Sequence, residues 1–404
     1  MRRIVIAGCG FAGYHAARRL EKSLAGRRRV ELTVVTRRAH FIFSRLLPKV
    51  ATGELSPDHL STPVDEALAP RTRVIVGAIE GIDLEKRQLL MARQPIPFDY
   101  LLIATGSRRS PQVFEGAEHL VGPDSLSDAV SIREDLQRVV STDDRPLRFA
   151  IVGGSSSGVE WASELASALS EDHRLSARSD DICIDLFEAG PRLLPDHSTQ
   201  LSDRAREVLE YLGVQIHTDT TVRAATNDEL MIDGDAPRKY TRIFHCAGRS
   251  GLPLWSEGGL DTDDQDRLIV DPTLVTPSSP GIFVAGDTTA ALPAVPHRSD
   301  PQLALQQGQR AARNLLAAMS GRTQKPFEFE ARGDFLIFGR HHAALELRGI
   351  LLEGRAAWLA NRLYYTALMP RTLKKARLLV DWIARRIGSE CTDAHTFPPR
   401  LSSD

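Results

Sequence analysis

The sequence predicts an α/β protein built on two parallel-sheet units of the dinucleotide-binding type, followed by a C-terminal module of amphipathic helices. Three observations carry this. A strand–glycine turn–helix–strand unit opens the chain and returns in the same order, with Gly8 answered by Gly153. Each copy is bounded by short continuous apolar runs, the pattern of strands buried on both faces of a parallel sheet. Beyond residue 330 the composition changes to leucine mixed with arginine and lysine.

The elements follow in order. Arg3 to Ala7 is an apolar strand that runs into Gly8-Cys9-Gly10-Phe11-Ala12-Gly13. Tyr14 to Leu24 are good helix formers, apolar at Ala16, Ala17 and Leu20. Glu31 to Thr36 is the second strand. Arg73–Val76, Gln88–Met91 and Tyr100–Ala104 follow as strands, the last entering Thr105-Gly106. The second copy has a strand at Arg148 to Val152, the turn Gly153-Gly154-Ser155-Ser156-Ser157-Gly158, a helix at Val159 to Leu169 and a strand at Ile182 to Glu188. Thr241 to Cys246 and Gly281 to Ala285 are further strands, ending in Ala247-Gly248 and Gly286-Asp287. Each copy is large enough to pack its own core, so this is a duplicated Rossmann-like domain rather than a solenoid. The division expected is 1–115 with 250–330, then 116–249, then 331–404.

Composition narrows the function. A length of 404 residues fits two or three domains. With 51 Lys+Arg against 52 Asp+Glu, the chain lacks the net basic footprint of a general nucleic-acid binder, and no nucleic-acid partner is expected. No apolar run approaches the ~20 residues of a membrane-spanning helix. The apolar stretch after Met1-Arg2-Arg3 is short and glycine-broken, so a signal peptide is not expected. Cys9, Cys183, Cys246 and Cys391 form no CxxC pair, which argues against a disulfide scaffold or a metal site and for a cytosolic setting. His297, His341 and His342 show no ligand spacing and read as surface or structural residues.

The first glycine loop lies between a strand and a helix, the context that gives GxGxxG meaning. Gly8 permits the tight turn, Gly10 lets a pyrophosphate approach the backbone, and Gly13 lets helix and strand pack closely. The helix start then offers free N–H groups to the phosphates. The acid usually found at the end of the second strand is absent; Thr36 stands there, followed by Arg37 and Arg38. The second loop, Gly153, Ser155 and Gly158, has the opposite pattern. Ser155 replaces the middle glycine, and the acid is present as Glu188, which accepts from a free 2′-hydroxyl and repels a 2′-phosphate. NADH is therefore expected over NADPH.

Two glycine loops together with Ala104-Thr105-Gly106 and Gly281-Ile282-Phe283-Val284-Ala285-Gly286-Asp287 resemble the flavoproteins with two dinucleotide-binding domains. The resemblance implies FAD at the first loop, with Thr36, Thr105, Gly106 and Gly286 beside it and Asp287 on the ribityl chain. It implies NADH at the second loop, with Gly248 beside it. Within that group the chain is similar to the type II NADH dehydrogenases, single-subunit non-pumping NADH:quinone oxidoreductases. Phe43 to Gly53 and then Glu54-Leu55-Ser56-Pro57 resemble the flavin-side segment, although the family often has Pro where Arg45 stands. Gly158-Val159-Glu160, Val270-Asp271-Pro272-Thr273-Leu274, Gln302-Leu303-Ala304-Leu305-Gln306-Gln307, Gly339-Arg340 and Ala356-Ala357-Trp358-Leu359 follow in the family's order. By resemblance Glu160 contacts the nicotinamide or assists proton transfer, while as a plain carboxylate near a helix start it would only favour the dipole. Gln302 and Gln306, four apart and so on one helical face, offer amides to quinone carbonyls or simply face solvent.

Residues 356–369 and 371–387 read as two helices separated by Pro370. In the second, Arg371, Lys374, Lys375, Arg377, Arg385 and Arg386 stand against a single Asp381. With Trp358, Tyr364, Tyr365 and Trp382 as aromatics suited to a headgroup boundary, the module is expected to lie on the cytoplasmic side of the cell membrane, or to form a homodimer interface. The expected activity is hydride transfer from NADH to flavin and two-electron transfer on to a quinone. The alternatives are a sulfide:quinone oxidoreductase, a soluble reductase of a small redox protein, and a nucleotide-binding redox sensor without enzymatic activity.

Overall fold

The computed structural model describes residues 1–27, 29–111, 113–142, 146–172, 174–175, 181–296 and 298–368. The chain divides into two compact units. The first comprises Met1–Ile42, Ser61–Arg109 and Arg249–Arg332. Its centre is a five-stranded parallel sheet in the order Ile282–Val284, Tyr100–Ile103, Arg2–Ala7, Val30–Thr36, Arg73–Val76. The apolar runs form strands because both faces are covered. Val5, Ala7, Leu101 and Ile103 point into one core with Leu89, Phe98, Trp255 and Leu268. Ile4, Ile6 and Leu102, the alternate residues, are equally buried. The helices Phe11–Ser23 and Pro301–Met319 pack on one another. Gly308 makes that approach possible: a Cβ there would lie 2.2 Å from the Ala12 carbonyl oxygen.

The second unit comprises Phe43–Leu60, Ser110–Gly248 and the described residues from Gly333 onward. It has a four-stranded parallel sheet in the order Val214–His217, Ile182–Phe187, Leu147–Val152, Arg242–His245. Helix Ser156–Ser170 is buried along most of its length, and the short helix Leu47–Ala51 packs against it. The Phe43-to-Gly53 segment thus folds with the second glycine loop, although the sequence resemblance ties it to the flavin.

The described part of the C-terminal module is more than helices. Asp334–Phe338, His342–Leu347 and Ile350–Glu353 form an antiparallel sheet. Its second hairpin turns on Arg348-Gly349, with φ of 51° and 80°, a two-residue turn with both residues left-handed. Helix Gly354–Leu368 covers this sheet through Ala357, Trp358 and Ala360. Of the aromatics expected at a headgroup boundary, Tyr365 is buried, while Trp358 and Tyr364 are half-buried. Trp358 donates Nε1 to the Arg340 carbonyl at 3.0 Å and lies under the Arg362 guanidinium. Tyr364 stacks on Phe335, and Tyr365 is buried against Phe43. The predicted helix 371–387, Trp382, Cys391 and His297 lie outside the described residues. Among those described, no helix is long and apolar enough to cross a membrane.

Candidate functional site

The first loop separates the reasons for its three glycines. Gly8 has φ of 101°, and a Cβ on it would fall 2.3 Å from the Ala104 carbonyl oxygen. Gly13 is equally closed, its would-be Cβ 2.1 Å from the Gly8 carbonyl oxygen. Gly10 has an ordinary φ of −79° and nothing within 4 Å of where a side chain would begin. The fold therefore needs no glycine there; the position is open at the start of helix Phe11–Ser23, which has no acid in its first turn and no side-chain cap. An open cradle over free N–H groups fits a pyrophosphate.

The other predicted residues of this unit gather at the carboxyl ends of the neighbouring strands, where parallel sheets bind ligands. Thr36 closes its strand, its Oγ1 donating to the Arg38 carbonyl at 3.1 Å. Thr105 Oγ1 accepts from Trp255 Nε1 at 3.2 Å. Gly106 and Gly286 both have positive φ, and the Gly286 N–H donates to Gln307 Oε1 at 2.7 Å. Asp287 Oδ2 accepts from Ser107 Oγ at 3.0 Å, and Arg249 Nε donates to that same hydroxyl at 2.7 Å. Gln302 Oε1 accepts from the Arg332 N–H at 3.2 Å. Gln306 pairs in both directions with the Glu330 backbone, at 2.8 and 3.0 Å. These amides tie the segment after the helix back along it.

The second loop repeats the first. Gly153 has φ of 111° with a would-be Cβ 2.6 Å from the Ala247 nitrogen, and that of Gly158 would lie 1.8 Å from the Gly153 carbonyl oxygen. Ser155, at the position of Gly10, is the N-cap of helix Ser156–Ser170, and its side chain makes no capping bond. Gly248 has φ of 57° and would press a Cβ to 2.4 Å from Val113. Glu188 accepts from the Gly154 N–H at 2.7 Å and the Gly190 N–H at 2.8 Å. Its carboxylate is thereby fixed beside the loop, with lone pairs left for ribose hydroxyls.

Glu160 is buried on the same helix. Arg45 Nη2 donates to its Oε1 at 3.0 Å, and the Ile337 N–H reaches that oxygen at 3.4 Å. Burial pushes its carboxyl pKa up; Arg45, the Ile337 amide, Lys49 and His197 pull against that rise. Nearby, Lys49 bonds to Glu54 and to Glu164 at 2.9 Å, and Arg362 reaches Glu54 at 3.2 Å. Sequence reasoning missed this network and also Ser107, Arg249, Trp255 and Gln307. Arg45 was visible only as a departure from a resembled motif, since its partners lie far off in sequence.

The two glycine loops, the second with Glu188 beside it, have the geometry of paired dinucleotide-binding turns, and residues 2–313 match the family model described as pyridine nucleotide-disulphide oxidoreductase. The chain belongs to that family. Two relatives align over nearly its whole length: demethylphylloquinone reductase NdbB of Synechocystis, 28% identical over 96% of each chain, and the type II NADH:quinone oxidoreductase Ndh of Mycobacterium tuberculosis, 28% identical over 98% of this chain and 91% of that one. In fold the chain is similar to NDH2 of Plasmodium falciparum in complex with NADH (TM-score 0.83, 16% identity, 98% of this chain and 99% of that one). The sulfide:quinone oxidoreductase of Aquifex aeolicus has a TM-score of 0.78 at 18% identity, covering 91% and 90%. In this pyridine nucleotide-disulphide oxidoreductase the described cysteines Cys9, Cys183 and Cys246 are not joined to one another by disulfides. Burial pushes the Cys9 thiol up to about 12, so it is not a nucleophile at neutral pH.

Proposed function

We propose that the chain is an FAD-dependent NADH:quinone oxidoreductase of the type II kind. The observation that carries this is alignment over 96% and 98% of the chain with two relatives named as quinone reductases. Bound FAD would supply the hydride-accepting and two-electron-donating chemistry between NADH and the quinone. The protein binds, orients and excludes water. Gly8, Gly10 and Gly13 with helix Phe11–Ser23 hold the FAD pyrophosphate. Thr36 meets a ribose hydroxyl, Asp287 holds the ribityl chain with Ser107 and Arg249 behind it, and Thr105, Gly106 and Gly286 line the same strand ends. Gly153, Ser155, Gly158 and Gly248 shape the NADH loop, and Glu188 selects against a 2′-phosphate. Glu160 holds and passes the proton of quinone reduction. Gln302 and Gln306, four apart on one helix, are the candidates for the quinone carbonyls, with Gln306 also fixing the segment at Glu330.

The FAD domain then corresponds to the unit of Met1–Ile42, Ser61–Arg109 and Arg249–Arg332, the NADH domain to Phe43–Leu60 and Ser110–Gly248, and the residues from Gly333, folded with the latter, meet the cytoplasmic face of the membrane or a second copy of the chain. Ile350, Leu352, Leu359 and Leu363 support the last point, being exposed apolar side chains gathered on that module. Steady-state NADH oxidation with a short-chain quinone and with a ferredoxin-type protein tests the reading. The quinone is expected to give the higher kcat/KM. Preference for the protein acceptor points to a soluble reductase.

A further inference from the structure

Arg45 lies in the short turn Ser44–Leu46, within the same unit as Glu160. Among the described residues its guanidinium reaches at least four acceptors. Nη2 donates to Glu160 Oε1 at 3.0 Å and to the Phe335 carbonyl at 3.2 Å, Nη1 to Ser156 Oγ at 3.4 Å, and Nε to the Tyr365 hydroxyl at 3.3 Å. Only 16% of the Arg45 side chain and 8% of that of Glu160 is exposed. A planar fork held at this many points is a fixed one. Both donors to Glu160, Arg45 and the Ile337 amide, converge on Oε1, and among the described residues no donor engages Oε2.

We propose that Arg45 is the positioning residue of Glu160: by anchoring Oε1 it leaves Oε2 as the one edge through which the carboxyl passes a proton to the quinone. This rests on the role given to Glu160 above. The balance is simple. NADH, a quinone and one proton give NAD+ and the quinol. The hydride brings two electrons and one hydrogen nucleus, and the remaining proton leaves Glu160, which is reprotonated from solvent.

The surroundings agree. Burial pushes the Glu160 carboxyl up, and Arg45 is the foremost opposing influence. The other charged or titratable groups facing it are Lys49, already bound to Glu54 and Glu164, and His197, paired with Asp334 at 3.4 Å. Among the described residues Arg45 is thus the cation in direct contact with Glu160, and its charge pulls against the burial that raises the carboxyl.

The test is the pH profile of quinone reduction by the holoenzyme, with a water-soluble short-chain benzoquinone as the probe. Glu160→Gln should abolish the limb that Glu160 produces. Arg45→Met should move that limb alkaline by about one pH unit or more, because an adjacent opposite charge is lost. It should lower kcat about tenfold with KM for NADH unchanged, the order of a general-acid contribution partly lost. Arg45→Lys, the variant least at risk of misfolding, keeps the charge but not the fork. Its limb should stay near that of the parent while kcat still falls. An Arg45→Lys enzyme equal to the parent in both respects, or an unmoved limb in Arg45→Met with Glu160→Gln abolishing it, overturns the role of Arg45 alone. If Glu160→Gln keeps both limb and rate, the Glu160 assignment fails first.

Discussion

At the residue scale, Gly10 and Gly13 make opposite predictions although they belong to one motif. Alanine at Gly13 would drive a Cβ to 2.1 Å from the Gly8 carbonyl oxygen, forcing helix and strand apart. Overpacking of this kind costs about 1–3 kcal/mol, so Gly13→Ala should melt several degrees lower. Alanine at Gly10 meets nothing within 4 Å and has an acceptable backbone angle. Gly10→Ala should therefore keep the melting temperature of the flavin-free protein and lose flavin on purification. Flavin content and thermal melting of the two variants check this together. Equal flavin retention in Gly10→Ala and the parent would remove the pyrophosphate from that position.

At the scale of elements, the described residues contain a buried charge cluster that no local pattern announces. Lys49, Glu54, Glu164 and Arg362 join three helices and the segment after the first of them, with Lys49 and Glu164 3% and 2% exposed. Burial pushes the Glu54 carboxyl up, but Lys49, Arg362 and Arg340 outweigh it and hold its pKa at about 2, below the ordinary 4.5. A depressed carboxyl contributes stability that is present above its unfolded value and lost as pH falls through its folded one. The protein should lose stability between about pH 4.5 and pH 2 on this account. Glu164, raised by burial against the pull of Lys49, works in the other direction and softens the loss. Lys49→Met should destabilise by about 3–5 kcal/mol at neutral pH, because the carboxylates lose their shared partner. It should also shrink the advantage of neutral over acid pH. Denaturant melts at pH 7 and about pH 2.5 read both effects.

The same scale shows what the sequence makes legible. Arg73–Val76 and Gln88–Met91 occur with the predicted bounds, and the strands flanking both glycine loops lie within one or two residues of theirs. Those strands are written locally, as apolar runs stopped by glycine. Asp334–Phe338 and its two partners escaped, because the Arg348-Gly349 turn puts a non-glycine residue at positive φ and lacks the usual asparagine or aspartate signal. In the candidate site the loop residues were readable from spacing. The Arg45–Glu160 and Asp287–Ser107–Arg249 contacts were not, since they join residues more than a hundred positions apart.

For the whole molecule, the account joins two nucleotide loops of one family to an acceptor that lives in lipid. If the C-terminal module brings the enzyme to an anionic surface, each basic side chain contributes about 1 kcal/mol there and salt weakens the attraction. Reversing Lys374, Lys375 and Arg377 to Glu should then release the protein from anionic vesicles at low salt while NADH oxidation with a soluble acceptor persists. Sedimentation equal to that of the parent would assign the module to dimer packing instead.

Anaerobic half-reactions bear on the electron path itself. Stoichiometric NADH added to the purified holoenzyme without oxygen should bleach the visible flavin absorbance, and a short-chain quinone added next should restore it while forming quinol. An unchanged spectrum on adding NADH, or a bleached enzyme that the quinone fails to reoxidise, would contradict the assignment of an NADH:quinone oxidoreductase.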